Sequence, residues 1–348
     1  MGIKGAQKLI KSIGGVKMHR NLRSYLASYG FRHISNKKRP VVAIDFSFYQ
    51  RRFSRNPINL FLKQIAGIVR EGAVPIYVFD GQYPKEKSYI VANRIKKKHQ
   101  YIEFKQESSD CPRFRRVTSD VLKEMLRLLR IPWVVATGEA DPLCAKLVVD
   151  KFATCCMTDD TDLVGYGADT IQYLPKGKIC EYHVDHILSK IGVDHRHFIE
   201  LAIALGCEHT RFLVKKNVNE TYLFMAKHQF SLELAVTESP SVFTFTPAHG
   251  EIDRLVSHFD LPSEITVETI FTPSEEDFID TDSAWNLLLP FLREDSWKIF
   301  SDTCRLIQRH MYLIVDTGSR LRKLDWIKPR PVLIDANNPL SSRSTMTY

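Results

Sequence analysis

The stretch "FATCCMTDDTDLVGYG", residues 152–167, sets a short apolar run against three carboxylates, Asp159, Asp160 and Asp162. An apolar run bounded by polar turn residues reads as a buried β-strand. Acids just past its end then lie at the strand's carboxyl edge. Like charges this close repel, so an offsetting positive charge is expected.

Three further runs share this form. "PVVAI" (40–44) is followed by Asp45, "VPIYVF" (74–79) by Asp80, and "IPWVVA" (131–136) by Glu139 and Asp141. The segments between are long enough for helices. "NLFLKQIAGIVREG" (59–72) and "SDVLKEMLRLLR" (119–130) fit that role, the latter with Ser119 or Asp120 as N-cap. The alternation predicts an α/β fold, a mostly parallel central sheet sandwiched by helices with right-handed crossovers. Ligands of open α/β sheets bind at the carboxyl ends of the strands. Four such ends predict one shared acidic patch.

Hard divalent ions such as Mg²⁺ take oxygen ligands, and two of them roughly 4 Å apart clamp a phosphodiester. Such a cation would supply the offsetting charge. Zinc suits the chain poorly. Its histidines and cysteines lack ligand spacing, His183 and His186 read as helix surface, and Cys155 and Cys156 read as core. No GxSxG, P-loop or GxGxxG motif occurs, which argues against triad hydrolysis or a nucleotide cradle.

The net charge is +9, unevenly spread. Residues 1–40 carry ten Lys or Arg and no acid, whereas residues 264–282 carry seven acids and no base. The basic start reads either as a transit peptide or as an edge that binds a polyanion. No run approaches the roughly 20 apolar residues of a membrane span. The seven scattered cysteines suit free thiols in a reducing compartment.

Further along, residues 183–206 read as two helices. Segment 240–282, rich in Pro, Ser, Thr and acids, reads as loops around the domain. "SAWNLLLPFL" (283–292) and "SWKIFSDTCRLIQRHMYLIV" (296–315) read as helices, and residues 336–348 as a flexible tail.

Six blocks in order carry a family resemblance: "MGIKGAQKLI" (1–10), "VAID" (42–45), "IYVFDG" (76–81), "IPWVVATGEADPLCAKLV" (131–148), "MTDDTDLVGYG" (157–167) and "LAIALGCE" (201–208). Over residues 1–208 the chain resembles the flap endonuclease or XPG-type 5′ nucleases. The resemblance implies a PIN-like nuclease core with a helical arch. It implies that Asp45, Asp80, Glu139, Asp141, Asp160, Asp162 and Glu208 are metal-site acids for two Mg²⁺ ions, with Mn²⁺ substituting. Asp141 replaces a longer Glu and Glu208 a shorter Asp, so a water-mediated role suits these two.

By the same resemblance, Lys87 and Arg94 at the arch base hold the scissile phosphate and stabilise its transition-state charge. Gly2 and Lys4 lie near the nucleic-acid junction, which favours the polyanion reading of the N-terminus. Arch residues 84–116 interleave bases, Lys96, Lys97 and Lys98 among them, with aromatics, which suits a threaded single strand or a solvated basic helix. Tyr49 is a candidate for stacking on a base.

Two family features are missing. The glycine-rich hairpin expected after the last acid is replaced by "EHTRFLVKKNVNETYLF" (208–224), which has no glycine. Lys215 and Lys216 are left to contact phosphate by side chain. "KLDWIK" (323–328) is no convincing sliding-clamp box. These losses suit a divergent, viral-type member.

The expected organisation is a catalytic core over 1–224, with the arch at about 84–130 and a degenerate helical hairpin at about 200–224. A C-terminal region over 225–335 packs on it. The expected activity is metal-dependent 5′ nuclease action on DNA with single-strand/double-strand junctions, in replication, repair or recombination. The alternatives are an RNA endonuclease of the herpesvirus host-shutoff type and a non-catalytic nucleic-acid-binding relative. A monomer in the nucleus or another intracellular replication site is expected.

Overall fold

The computed structural model describes residues 3, 5–30, 39–46, 57–81, 118–207, 214–244, 247, 250–274, 278–292, 296–324 and 327–329. Among these, one mixed sheet contains β1 (Lys17–His19), β2 (Val41–Asp45), β3 (Val74–Phe79), β4 (Trp133–Ala136), β5 (Cys155–Met157), β6 (Thr170–Tyr173), β7 (Ile179–Tyr182), β8 (Ile265–Phe271) and β9 (Ile327–Pro329). The strand order is β1-β7-β6-β5-β2-β3-β4-β8-β9. From β6 through β5, β2 and β3 to β4 every pairing is parallel. β1–β7, β6–β7 and β4–β8 are antiparallel, so the sheet is parallel at its centre and mixed at its margins. The expected α/β architecture is present.

The central strands read as unbroken apolar runs because both faces are covered. Val41, Ala43, Ile76, Val78, Val134 and Cys156 point into one core, and Val42, Ile44, Tyr77, Phe79, Val135 and Met157 into the other. That is the period-two alternation of a strand.

The helices in chain order are α1 (Ala6–Ser12), α2 (Leu22–Ser28), α3 (Pro57–Arg70), α4 (Ser119–Leu128), α5 (Ala140–Val149), α6 (Asp162–Gly165), α7 (Val184–Ile191), α8 (His195–Leu205), α9 (Val218–Lys227), α10 (Leu232–Glu238), α11 (Glu251–Ser257), α12 (Thr281–Leu288), α13 (Ser296–Arg309) and α14 (Met311–Arg322). Side chains of α1 and α5 through α11 fill the first core, and those of α2, α3, α4, α12 and α13 fill the second.

Several local expectations change. The N-cap of α4 is Thr118, whose hydroxyl accepts from Val121 N–H at 3.3 Å, rather than Ser119 or Asp120. β5 begins only at Cys155, because Lys151 turns the chain with φ 59° and Thr154 N–H then joins the Val41 carbonyl at 2.8 Å. Segment 240–282 is not only loop: it holds α11 and β8. In β8, Ile265 and Val267 are buried while Thr266 and Thr269 are exposed, an alternation that the segment's acidic, Thr-rich composition obscures. The run 296–315 breaks at His310 between α13 and α14.

Candidate active site

The register of the sheet brings the acids together. Ile44 lies opposite both Met157 and Tyr77, and Phe79 lies opposite Val135. The carboxyl ends of β5, β2, β3 and β4 are therefore side by side at one edge. Asp45 is the last residue of β2, and Asp80 follows β3. Glu139 is the N-cap residue of α5 and Asp141 lies in its first turn, just past β4. Asp160 follows β5 and Asp162 opens α6.

Protein donors hold several of these groups. The Ala140 N–H at the start of α5 donates to Asp80 Oδ1 at 2.8 Å, joining the ends of β3 and β4. Thr158 Oγ1 donates to Asp45 Oδ2 and accepts from Asp160 N–H, both at 3.1 Å. Asp162 N–H donates to Asp160 Oδ1 at 3.1 Å. Gly81 lets the chain pass close by: a Cβ there would stand 1.8 Å from the Ala136 carbonyl oxygen.

Asp45, Asp160 and Asp162 are buried, and Asp141 stands in their common field. Burial pushes the Asp141 carboxyl well above the ordinary aspartate range, and the charges of Asp45, Asp160, Asp162 and Asp80 push it further. Tyr166 is raised by burial first, then by Asp141, Asp162 and Glu139. Asp141 thus stands among like charges that disfavour its ionised form.

The donor chemistry, carboxylate oxygen only and partly desolvated, fits a hard divalent ion such as Mg²⁺ or Mn²⁺. Among the described residues no three His, Cys, Asp or Glu side chains already converge as a ready cation cage. The acids share an edge, and one oxygen each of Asp80, Asp45 and Asp160 accepts from a protein donor.

The N-terminal helix reaches the same edge. Gln7 Nε2 donates to the Asp159 carbonyl at 2.8 Å, and Thr161 Oγ1 donates to the Ile3 carbonyl at 3.5 Å. Gly5, at φ 70°, abuts Val218 at the start of α9. Lys215 and Lys216 precede α9 and are exposed. Gly2, Lys4, Tyr49, Lys87, Arg94, Lys96, Lys97, Lys98 and Glu208 lie outside the described residues.

Sequence reasoning missed the supporting groups Thr158, Gln7 and the Ala140 N–H. For Thr158 a signal existed, since a threonine between an apolar run and a string of aspartates favours side-chain bonding to nearby backbone. The other two depend on contacts between residues distant in sequence.

Comparison with known proteins finds similarity in both sequence and fold. The XPG I-region model matches residues 130–208, which contain Glu139, Asp141, Asp160 and Asp162. Flap endonuclease 1 of Trypanosoma brucei gambiense is 35% identical over 161 residues, 41% of this chain and 41% of that protein. Flap endonuclease 1 of Pyricularia oryzae is 29% identical over 226 residues, 60% of this chain and 55% of the relative. The chain spans about half the length of these curated relatives.

Among solved structures, the catalytic core of Rad2 in complex with DNA substrate superimposes with a TM-score of 0.61 at 18% identity, covering 88% of this chain and 99% of that one. Human GEN1 in complex with Holliday junction DNA gives a TM-score of 0.62 at 17% identity, covering 90% of this chain and 79% of the other. These structural likenesses establish a shared fold. The matched I-region and the flap endonuclease relatives support an XPG-type flap endonuclease family member.

Proposed function

We propose that the chain is a divalent-metal-dependent 5′ nuclease that hydrolyses phosphodiester bonds in DNA carrying single-strand/double-strand junctions. The observation that carries this reading is the convergence of four parallel strand ends on one carboxylate field, centred on Asp141. A field of that density, in a basic chain, suits cations bound between protein and a polyanion.

Asp45, Asp80, Glu139, Asp141, Asp160, Asp162 and Glu208 would hold two Mg²⁺ ions, with Mn²⁺ as a substitute. When bound, the metal supplies Lewis-acid activation of water and stabilises charge on the phosphate oxygens. Asp80, tied to α5 through Ala140 N–H, fixes β3 against β4. Thr158 keeps Asp45 and the 158–162 turn in one orientation. Lys87 and Arg94 hold the scissile phosphate and stabilise its transition-state charge. Gly2, Lys4, Tyr49, Lys96, Lys97, Lys98, Lys215 and Lys216 contact the nucleic acid, through phosphates for the lysines and by stacking for Tyr49.

Residues 1–224 form the catalytic core, and 225–335 pack on it. The protein acts as a monomer in replication, repair or recombination, in the nucleus or another intracellular replication site. No described helix is long and apolar enough to cross a membrane.

The test compares wild type with Asp80→Asn and Asp160→Asn on flapped and single-stranded DNA and on matched RNA, in Mg²⁺ and in Mn²⁺. Flap cleavage by wild type is expected, with loss of more than about 100-fold in each variant and retained binding. Full-rate cleavage by both variants overturns the metal-site reading. A wild type that cuts only RNA, or binds flaps without cutting, overturns the DNA-nuclease reading.

A further inference from the structure

The acids predicted from sequence all lie within residues 1–208, but the structure brings a carboxylate from the C-terminal region beside Gly81, the residue after Asp80. β8 pairs antiparallel with β4, and the pairing is interrupted by a register shift. Val135 lies opposite Thr269 and Ala136 opposite Val267, which leaves Glu268 as the extra residue on β8. A β-bulge of this kind re-aims a side chain, and bulges concentrate next to active sites.

The re-aimed side chain reaches across Ala136 towards the end of β3. Glu268 Oε1 stands 3.0 Å from where a Cβ on Gly81 would sit, and Gly81 directly follows Asp80. Because residue 81 is glycine, the carboxylate has room there. Glu268 Oε1 is shielded from solvent and has no hydrogen-bond partner. A half-buried acid with a shielded, unpartnered oxygen is costly unless a donor or a cation compensates it.

We infer that Glu268 is a further acid of the cation edge, a positioning residue that adds charge and an acceptor oxygen beside Asp80. This rests on the metal-site reading above. On this reading the C-terminal region does more than complete the sheet, since its bulge carries part of the cation-binding field. A bulge that served only to twist the sheet margin would gain nothing from a carboxylate with a shielded, unpartnered oxygen.

The test is Mn²⁺ binding to the full-length chain without nucleic acid, followed by calorimetry, alongside the thermal midpoint in chelator. Glu268→Gln is expected to weaken Mn²⁺ binding about tenfold, the lower end of the effect of residues behind direct ligands. Its midpoint in chelator stays equal to or above wild type, because the shielded oxygen has no hydrogen bond to lose. Glu268→Asp, which keeps the charge but shortens the reach, is expected to fall between, and serves if the Gln variant does not fold.

An unchanged Mn²⁺ isotherm for Glu268→Gln overturns the assignment, as does a lowered midpoint with unchanged affinity. Failure of the underlying reading is separate: wild type would then take up no Mn²⁺, or Asp160→Asn would bind it as wild type does.

Discussion

The Thr158 hydroxyl donates to Asp45 Oδ2 at 3.1 Å and so ties the turn after β5 to the end of β2. The same oxygen accepts from Asp160 N–H. One buried hydroxyl therefore sets the relative position of two acids that lie far apart in sequence. Thr158→Val keeps the shape but removes this hydroxyl from both the Asp45 carboxylate and the Asp160 N–H. The expected cost is about 1–3 kcal/mol by urea unfolding, with Thr158→Ser recovering most of it. An unchanged unfolding free energy for the Val variant would show that the bond contributes nothing.

Repulsion among the acids makes a second prediction. The Asp141 carboxyl is raised by burial and by four neighbouring carboxylates, so the charged form is disfavoured in the fold. Asp141→Asn is expected to raise the thermal midpoint in chelator at neutral pH, by relieving that repulsion. In Mg²⁺ the order reverses, because wild type gains more from ligand binding. Scanning both proteins with and without Mg²⁺ checks the crossover.

Gly81 is fixed by space rather than by backbone angle. A methyl group at this position would meet the Ala136 carbonyl at 1.8 Å, a backbone atom that has nowhere to go. Gly81→Ala is expected to destabilise by about 3 kcal/mol or more, the range of severe overpacking, and to displace Asp80. Denaturant unfolding measures the first effect, and Mn²⁺ affinity the second.

His310 gives a pH dependence outside the acid edge. Burial, with Arg309 and Arg39 adding to it, holds its pKa below the ordinary value of 6.5. The unfolded chain then binds the proton more readily than the folded one. Stability attributable to His310 is present above about pH 6.5 and is lost as pH falls through the lower folded value. His310→Asn is expected to flatten the stability–pH curve below that point, as read by urea unfolding at a series of pH values.

Lys215 and Lys216 are exposed on the segment entering α9, which packs against Gly5 of the N-terminal segment. If both contact phosphate, the double alanine variant loses about two counterions from the salt dependence of DNA binding. Binding measured across a salt series by fluorescence anisotropy reads this slope. An unchanged slope removes both residues from the interface.

Much of the site was legible before any coordinates. The apolar runs ending in Asp45, Asp80 and Asp160 are strands whose two faces are both buried, so hydrophobicity alone marks them and their ends. β8 was not legible, because its inward Ile265 and Val267 alternate with Thr and Glu inside an acidic segment. The N-cap of α4 lies one or two residues before the expected Ser119 or Asp120, since Thr118, Ser119 and Asp120 are all chemically suitable caps.

The sequence by itself determined the four central strands, β2 to β5, which acids follow them and that a parallel sheet would carry those acids to one edge. Those properties are local: a run's apolarity and the residue after it are adjacent in the chain. Only the tertiary structure decided which strand lies beside which, that Thr158 bridges Asp45 and Asp160, and that the bulge in β8 swings Glu268 beside Gly81. Such relations depend on register and close approach between segments that are not neighbours in the chain. No pattern within either segment encodes them.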